Sequence, residues 1–238
     1  MKNRRTFLKL TAATVALGAL PLAARAAESG GKVKIGMIGS GRIGSTLGRL
    51  WAEGGHPVMF SSLDLEHDKK LATEVGNGAR AGTSREAAAF GDVLLVAVPY
   101  SAMAAVGKDL GELLKGKIVI DASNPIESRD GEAAKRALEK GAGLASAELL
   151  PGAHIVRAFN AIGYARLPEM KTRNPKVGMP IAGDDKKALS VASALIREIG
   201  LEPVLIGGLA MGKHLVPRMP LGGEHTPEEL RKIAATLS

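Results

Sequence analysis

The run Ile35-Gly36-Met37-Ile38-Gly39-Ser40-Gly41-Arg42-Ile43-Gly44 constrains the fold more than any other stretch of this chain. Val33 to Ile38 is β-rich and ends on glycine, while Arg42 to Glu53 sets Ile43, Leu47, Leu50 and Trp51 on one helical face. Gly54-Gly55 stops that helix. A strand, a turn spaced G-x-G-x-x-G and a helix together make a phosphate-cradling βα unit. Gly39 permits the tight turn, Gly41 lets the backbone approach a pyrophosphate, and Gly44 lets helix and strand pack closely. The helix start adds free N–H groups and the positive end of a dipole. Gly39, Ser40, Gly41, Arg42, Ile43 and Gly44 are therefore candidate dinucleotide contacts.

The rest of the chain repeats the alternation. Strands are predicted at Pro57–Ser61, Asp92–Val98, Lys117–Asp121, His154–Phe159, Lys176–Ala182 and Glu202–Ile206. Helices are predicted at Asp68–Val75, Ser84–Phe90, Met103–Leu114, Glu132–Gly141 and Ser146–Leu150, with another from a cap at Asp185 to Ile199. Thr226-Pro227-Glu228-Glu229 starts a last helix. Asp92 to Val98 is nearly all apolar, as in a strand buried on both faces of a parallel sheet. The pattern predicts an α/β chain: a Rossmann-type, doubly wound, mostly parallel sheet with a small C-terminal α/β extension. The expected division is a leader over 1–27, a dinucleotide-binding domain over 31–160, and an extension over 161–238 that completes an acceptor site.

The leader has paired arginines, Arg4 and Arg5, an apolar run from Leu8 to Leu22, and Ala24-Arg25-Ala26. It reads as a twin-arginine export signal, with an ordinary signal or an uncleaved anchor as the alternative, and its apolar run is shorter than the roughly 20 residues of a membrane span. The expectation is export to the periplasm by the matching machinery. Five of the 32 lysines and arginines lie in this leader, which leaves 27 against 24 acids, a balance of only +3. With aromatics scarce as well, nucleic acid is not an expected partner. No later segment is apolar enough to span a membrane, and a homodimer is compatible with the chain. Cysteine is absent, which excludes disulfides, thiol catalysis and iron–sulfur clusters. No histidine and acid spacing suggests a metal site, and no catalytic nucleophile or dyad is evident. His56 and His67 are expected at the surface, and His154 is expected to be structural or exposed. His214, beside Lys213, is expected either in a solvated loop or facing an anionic acceptor.

Coenzyme choice falls to the end of the second strand. An acid about 20 residues beyond the glycines would hold the ribose hydroxyls of NAD. Twenty-two after Gly39 is Ser61, followed by Ser62, and both can hydrogen-bond a 2′-phosphate, whereas Asp64 comes later on the turn. NADP is favoured, with NAD the alternative. Val98-Pro99-Tyr100, Asn124-Pro125 and Phe159-Asn160 close three later strands at the carboxyl edge, where open α/β sheets bind ligands. The alternative reading for Phe159 is core packing, and for Asn124 and Asn160 a turn-forming role.

These fragments occur in the order found in a known family. The chain resembles the NADPH-dependent deazaflavin-coenzyme (F-420) reductases and related dinucleotide-binding NADP oxidoreductases, a domain type also found in the cytosolic part of certain membrane ferric reductases. The resemblance runs from about Lys32 to Pro217 through Gly39–Gly44, Gly55-His56-x-Val58, Val96–Tyr100, Asp121–Pro125, Arg157–Asn160, Ala182–Asp185 and Gly207-x-Leu209. It implies hydride transfer between NADP and a deazaflavin, flavin or ferric acceptor. It also implies that Val98, Pro99, Tyr100, Asn124, Phe159 and Asn160 line the nicotinamide. The family places an arginine on the 2′-phosphate where this chain has Leu63, with Lys69, Lys70 and Arg80 the cations nearby in sequence. A second departure is Gly212-Lys213-His214-Leu215-Val216-Pro217, near the expected acceptor site. Two other readings stay open: a hydroxyacid or imine reductase, and a non-catalytic dinucleotide-binding sensor. Relatives of the first kind add a large all-helical domain, whereas the 78 residues after Asn160 alternate strand and helix.

Overall fold

The computed structural model describes residues 31–237; the leader expected over 1–27 lies outside them. Eight strands form one sheet in the order β3-β2-β1-β4-β5-β6-β7-β8. They are β1 (Ile35–Ile38), β2 (Val58–Ser61), β3 (Arg80–Ala81), β4 (Val93–Val96), β5 (Ile118–Asp121), β6 (His154–Arg157), β7 (Gly178–Gly183) and β8 (Glu202–Gly207). Every pairing is parallel except β6 with β7. This is the doubly wound Rossmann arrangement with two added strands, and the chain reverses direction across the sheet between β1 and β4. The C-terminal third thus continues the sheet.

The strands alternate their side chains between two cores. Ile35, Met37, Val93, Leu95, Ile118 and Ile120 face one core, which holds Leu47 and Trp51 of helix α1 (Arg42–Glu53). Ile38, Leu94, Val96 and Val119 face the other, with Tyr100 and Met103. Burial on both faces explains why these strands read as unbroken apolar runs. Three departures from the sequence reading have local causes. β3 pairs through only two residues, too few to leave a periodic signal. β4 stops at Val96, because residues 97–99 leave the ladder to form an edge loop in which the Val98 N–H donates to Ser123 Oγ at 3.3 Å. Helix α2 (Leu65–Val75) begins three residues early, because the Asp64 side chain caps it by accepting from the His67 N–H at 2.9 Å.

His56 is a correction. It is buried at 2% exposure, accepts from the Val33 N–H at 3.1 Å through Nδ1, and meets Glu198 Oε2 at 2.8 Å through Nε2. Burial alone would raise the Glu198 carboxyl, but the bonds from His56 and Lys32 outweigh it and hold that group below its ordinary range. His67 is exposed, and His154 is half-exposed with Nδ1 3.4 Å from Asp185.

Candidate functional site

The glycine turn leaves β1 at the carboxyl edge of the sheet, where β1 and β4 part. Gly39 has φ +99, and a Cβ there would come within 2.5 Å of the Ala97 carbonyl oxygen. A Cβ on Gly44 would fall on the Gly39 carbonyl oxygen. Both glycines are demanded by the chain's own packing. Gly41 is different. It is the N-cap of α1 with φ −64 and ψ −165, a conformation open to any residue, and a Cβ there would meet nothing within 4 Å. The space it keeps clear opens outward above the first turn of the helix, whose leading N–H groups have no intrahelical partners. A phosphate bound there would occupy that space.

Two cavities flank the turn. The first, of about 500 Å³, is lined by Gly39, Ser40, Gly41, Ser62, Val98 and Pro99, together with Asp64, Asp109 and the fully exposed Leu63. The second, of about 600 Å³, is lined by Ile43, Asn124, Phe159, Asn160, Tyr164 and Arg218, among others. Gly41 faces one and Ile43 the other, so the helix start sits between them. Residues 161–164 and 217–223 wall the second cavity. The Gly223 N–H donates to the Ala161 oxygen at 2.9 Å, and Arg166 Nε donates to Glu224 at 2.7 Å, tying these two segments together.

At the floor of the second cavity the two asparagines are fixed against each other. Asn160 Nδ2 donates to Asn124 Oδ1 at 3.2 Å and to the Ser123 carbonyl at 3.4 Å. Asn124 Nδ2 donates to the Asn160 carbonyl at 3.4 Å. Both donors are thereby committed, and Asn160 Oδ1 is buried with no partner among the described residues. An unpaired buried carbonyl costs about 1–3 kcal/mol, which a ligand N–H would recover. Beneath them Arg157, fully buried, donates to Asp121 Oδ2 at 2.6 Å, to the Ser123 carbonyl at 3.0 Å and to the Leu215 carbonyl at 2.9 Å. It links the ends of β5 and β6 to Leu215, just before the segment that walls the cavity.

Ser61, Tyr100 and Arg42 line neither cavity, Phe159 reaches the second only in part, and Val98 and Pro99, expected at the nicotinamide, line the first. Ser61 is fully buried and its hydroxyl donates to the Met37 carbonyl at 2.7 Å, so it is not offered to a 2′-phosphate. The Tyr100 ring turns into the core, where its hydroxyl meets the Ala142 carbonyl at 3.2 Å and Ser146 at 3.1 Å. Burial pushes the Tyr100 phenol up. Phe159 puts its ring in the core, edge-on to Trp51 with centroids 5.9 Å apart, and only the edge of the residue reaches the cavity; its φ of +65 is the local cost of that turn. Arg42 is exposed and stacks over Tyr164 at 5.7 Å. His214 lines neither cavity. Its ring nitrogens are buried without a well-formed hydrogen bond among the described residues, and burial, followed by the Lys213 charge, outweighs the nearby Leu237 backbone and pushes its pKa down. Tyr164 and Arg218 went unnoticed in the sequence because loop closure, not spacing, brings them to the cavity. The described residues contain no group of three or more acids and histidines able to hold a metal, and no helix among them is long and apolar enough to cross a membrane.

Residues 34–125 match the family model described as NADP oxidoreductase, coenzyme F420-dependent. The chain is 30% identical over 203 residues to the F420-dependent NADP reductase of Methanothermobacter thermautotrophicus, covering 79% of this chain and 87% of that protein. It is also 30% identical over 191 residues to Metalloreductase STEAP3 of Rattus norvegicus, covering 79% of this chain but 36% of that protein. The crystal structure of a hypothetical protein from Sinorhizobium meliloti is similar with a TM-score of 0.69 and 28% identity, over 83% of this chain and 97% of that one.

Proposed function

The chain belongs to the coenzyme F420-dependent NADP oxidoreductase family, and on that premise we propose that it is an enzyme passing hydride between a nicotinamide dinucleotide and a deazaflavin. Flavin and ferric complexes are the further acceptors to be tested. NADP is the dinucleotide in the names of its relatives. The observation that carries the proposal is Gly41, a glycine that the fold does not need, at the mouth of a helix between two cavities.

In this reading the first cavity takes the adenosine end and the N-terminus of α1 takes the pyrophosphate. The second cavity would take the nicotinamide end, where Asn160 Oδ1 is the acceptor left free for an amide N–H. The bound dinucleotide supplies the hydride chemistry itself. The chain contributes position: Asn124 and Asn160 hold one another, Arg157 holds the floor, and the 161–164 and 217–223 walls set the depth at which a second ring can lie. Ring-to-ring hydride transfer depends on proximity and orientation more than on an acid or base. That accords with two asparagines where a catalytic dyad would otherwise be sought.

The leader supports a companion proposal, export to the periplasm with the dinucleotide already bound, since the twin-arginine route carries folded proteins. Native mass spectrometry of protein recovered from that compartment, followed by turnover assays, tests both. Bound dinucleotide, and oxidation of its reduced form with a deazaflavin, flavin or ferric acceptor, are expected. Nucleotide-free periplasmic protein would remove the export proposal, and no turnover with any of the three acceptors would remove the enzymatic one.

A further inference from the structure

Asp68 is fully buried in α2, and its two oxygens are held by hydroxyls. Ser40 Oγ donates to Oδ1, and Ser62 Oγ donates to Oδ2 at 2.9 Å. Ser40 belongs to the glycine turn and Ser62 to the loop after β2, so one buried acid ties together two of the polar side chains at the adenosine end of the site. Ser62 Oγ also accepts from the Asp64 N–H at 3.1 Å. The hydroxyl expected to greet a 2′-phosphate is thus committed to the protein, with an acidic group directly behind it.

The remainder of that cavity has the same bias. Asp64 and Asp109 line it, and among the described residues none that lines it is a lysine, arginine or histidine. The candidate cations are engaged elsewhere or lie outside it. Lys69 pairs with Glu66 at 2.7 Å, Arg80 stacks over Phe90 at 5.6 Å, and Arg85, which does not line the cavity, pairs with Asp109 at 3.8 Å. Lys70 does not line the cavity. At the position that could project a guanidinium stands Leu63, wholly exposed. A 2′-phosphate carries close to two negative charges at neutral pH and is bound by a cationic fork, whereas a ribose 2′-hydroxyl is bound by an acid.

Resting on the dinucleotide reading above, we propose that the adenosine end of this site is built for a ribose hydroxyl, so that the chain takes NAD(H) at least as readily as NADP(H). Leu63, which offers no cation, and Asp64, which lines the cavity, are the specificity determinants, and the Asp68–Ser62 bond keeps the Ser62 hydroxyl from a 2′-phosphate.

Calorimetric titration of the purified chain with NADH and with NADPH, without acceptor and at one ionic strength, tests this. NADH binding as tightly as NADPH, or tighter, is expected. Leu63→Arg, at an exposed position that the fold does not use, is expected to tighten NADPH about tenfold or more while leaving NADH within about twofold. Native protein that binds NADPH more than about tenfold tighter than NADH overturns the proposal, as does a Leu63→Arg variant that shifts both nucleotides alike. Binding of neither nucleotide to the native chain overturns the dinucleotide reading itself, and this inference with it.

Discussion

Gly41→Ala separates a ligand-binding turn from a merely structural one. The backbone at Gly41 is already in a region open to alanine, and the new methyl meets nothing of the protein within 4 Å. Fixing the unfolded chain stabilises by about 0.4–1 kcal/mol, and the poorer N-cap costs a similar amount. The melting temperature of the free protein should therefore move by no more than about 2–4 °C. Binding is another matter. A methyl group in the space above the helix start lifts a phosphate off the leading N–H groups. Losing two charge-assisted bonds, each worth about 1.5–3 kcal/mol, weakens dinucleotide binding by about two orders of magnitude or more. The assay pairs a thermal melt without nucleotide with a binding titration on the same preparation. Unchanged affinity would show that no phosphate sits over Gly41. A melt lowered by much more than 4 °C would show that the glycine serves the fold. Gly44→Ala is the control, since its methyl would fall on the Gly39 carbonyl and must lower both stability and affinity.

Arg157→Met should destabilise the chain by about 3–5 kcal/mol, because it leaves Asp121 buried without its cation; a denaturant melt reads this directly. Asn160→Leu keeps the volume but removes the orphan acceptor and both donors, and should weaken nicotinamide-end binding by about tenfold or more, read as a difference in affinity between the full dinucleotide and its adenosine half. Burial would raise the Asp130 carboxyl, but bonds from Arg129 and from the Ile126 and Ser101 N–H groups outweigh it and hold the group well below the ordinary carboxylate range. A depressed pKa contributes stability above the unfolded value of about 3.9 that is lost as pH falls towards the folded one. The native chain should lose stability below about pH 5, and Asp130→Asn should flatten that decline in melts run across pH.

The sequence carried the architecture because its signals are local. G-x-G-x-x-G, the apolar run into Val96 and the caps at Asp185 and Thr226 each lie within a few residues of the structure they specify, and both caps are present. What it hid depends on distant partners or on side-chain direction. His56 looks like a surface residue until Glu198, 142 positions away, closes over it. Asp68 sits in a polar helix among exposed neighbours, and only the approach of the Ser40 turn makes it a buried acid. Ser61 and Ser62 are adjacent and look equivalent, but strand alternation sends one inward and the other to the cavity. Tyr100 follows the β4 edge loop as expected, yet its ring turns away from both cavities.

Hydride transfer itself can be followed with a label. With deuterium at the transferable position of the reduced nicotinamide and a deazaflavin acceptor, the acceptor's receiving atom is carbon, which does not exchange its hydrogen with water. Direct transfer between rings held at the Asn124–Asn160 floor predicts one deuterium in the reduced acceptor for each dinucleotide oxidised. Loss of the label to solvent, or oxidation of the dinucleotide without reduction of the acceptor, would contradict it.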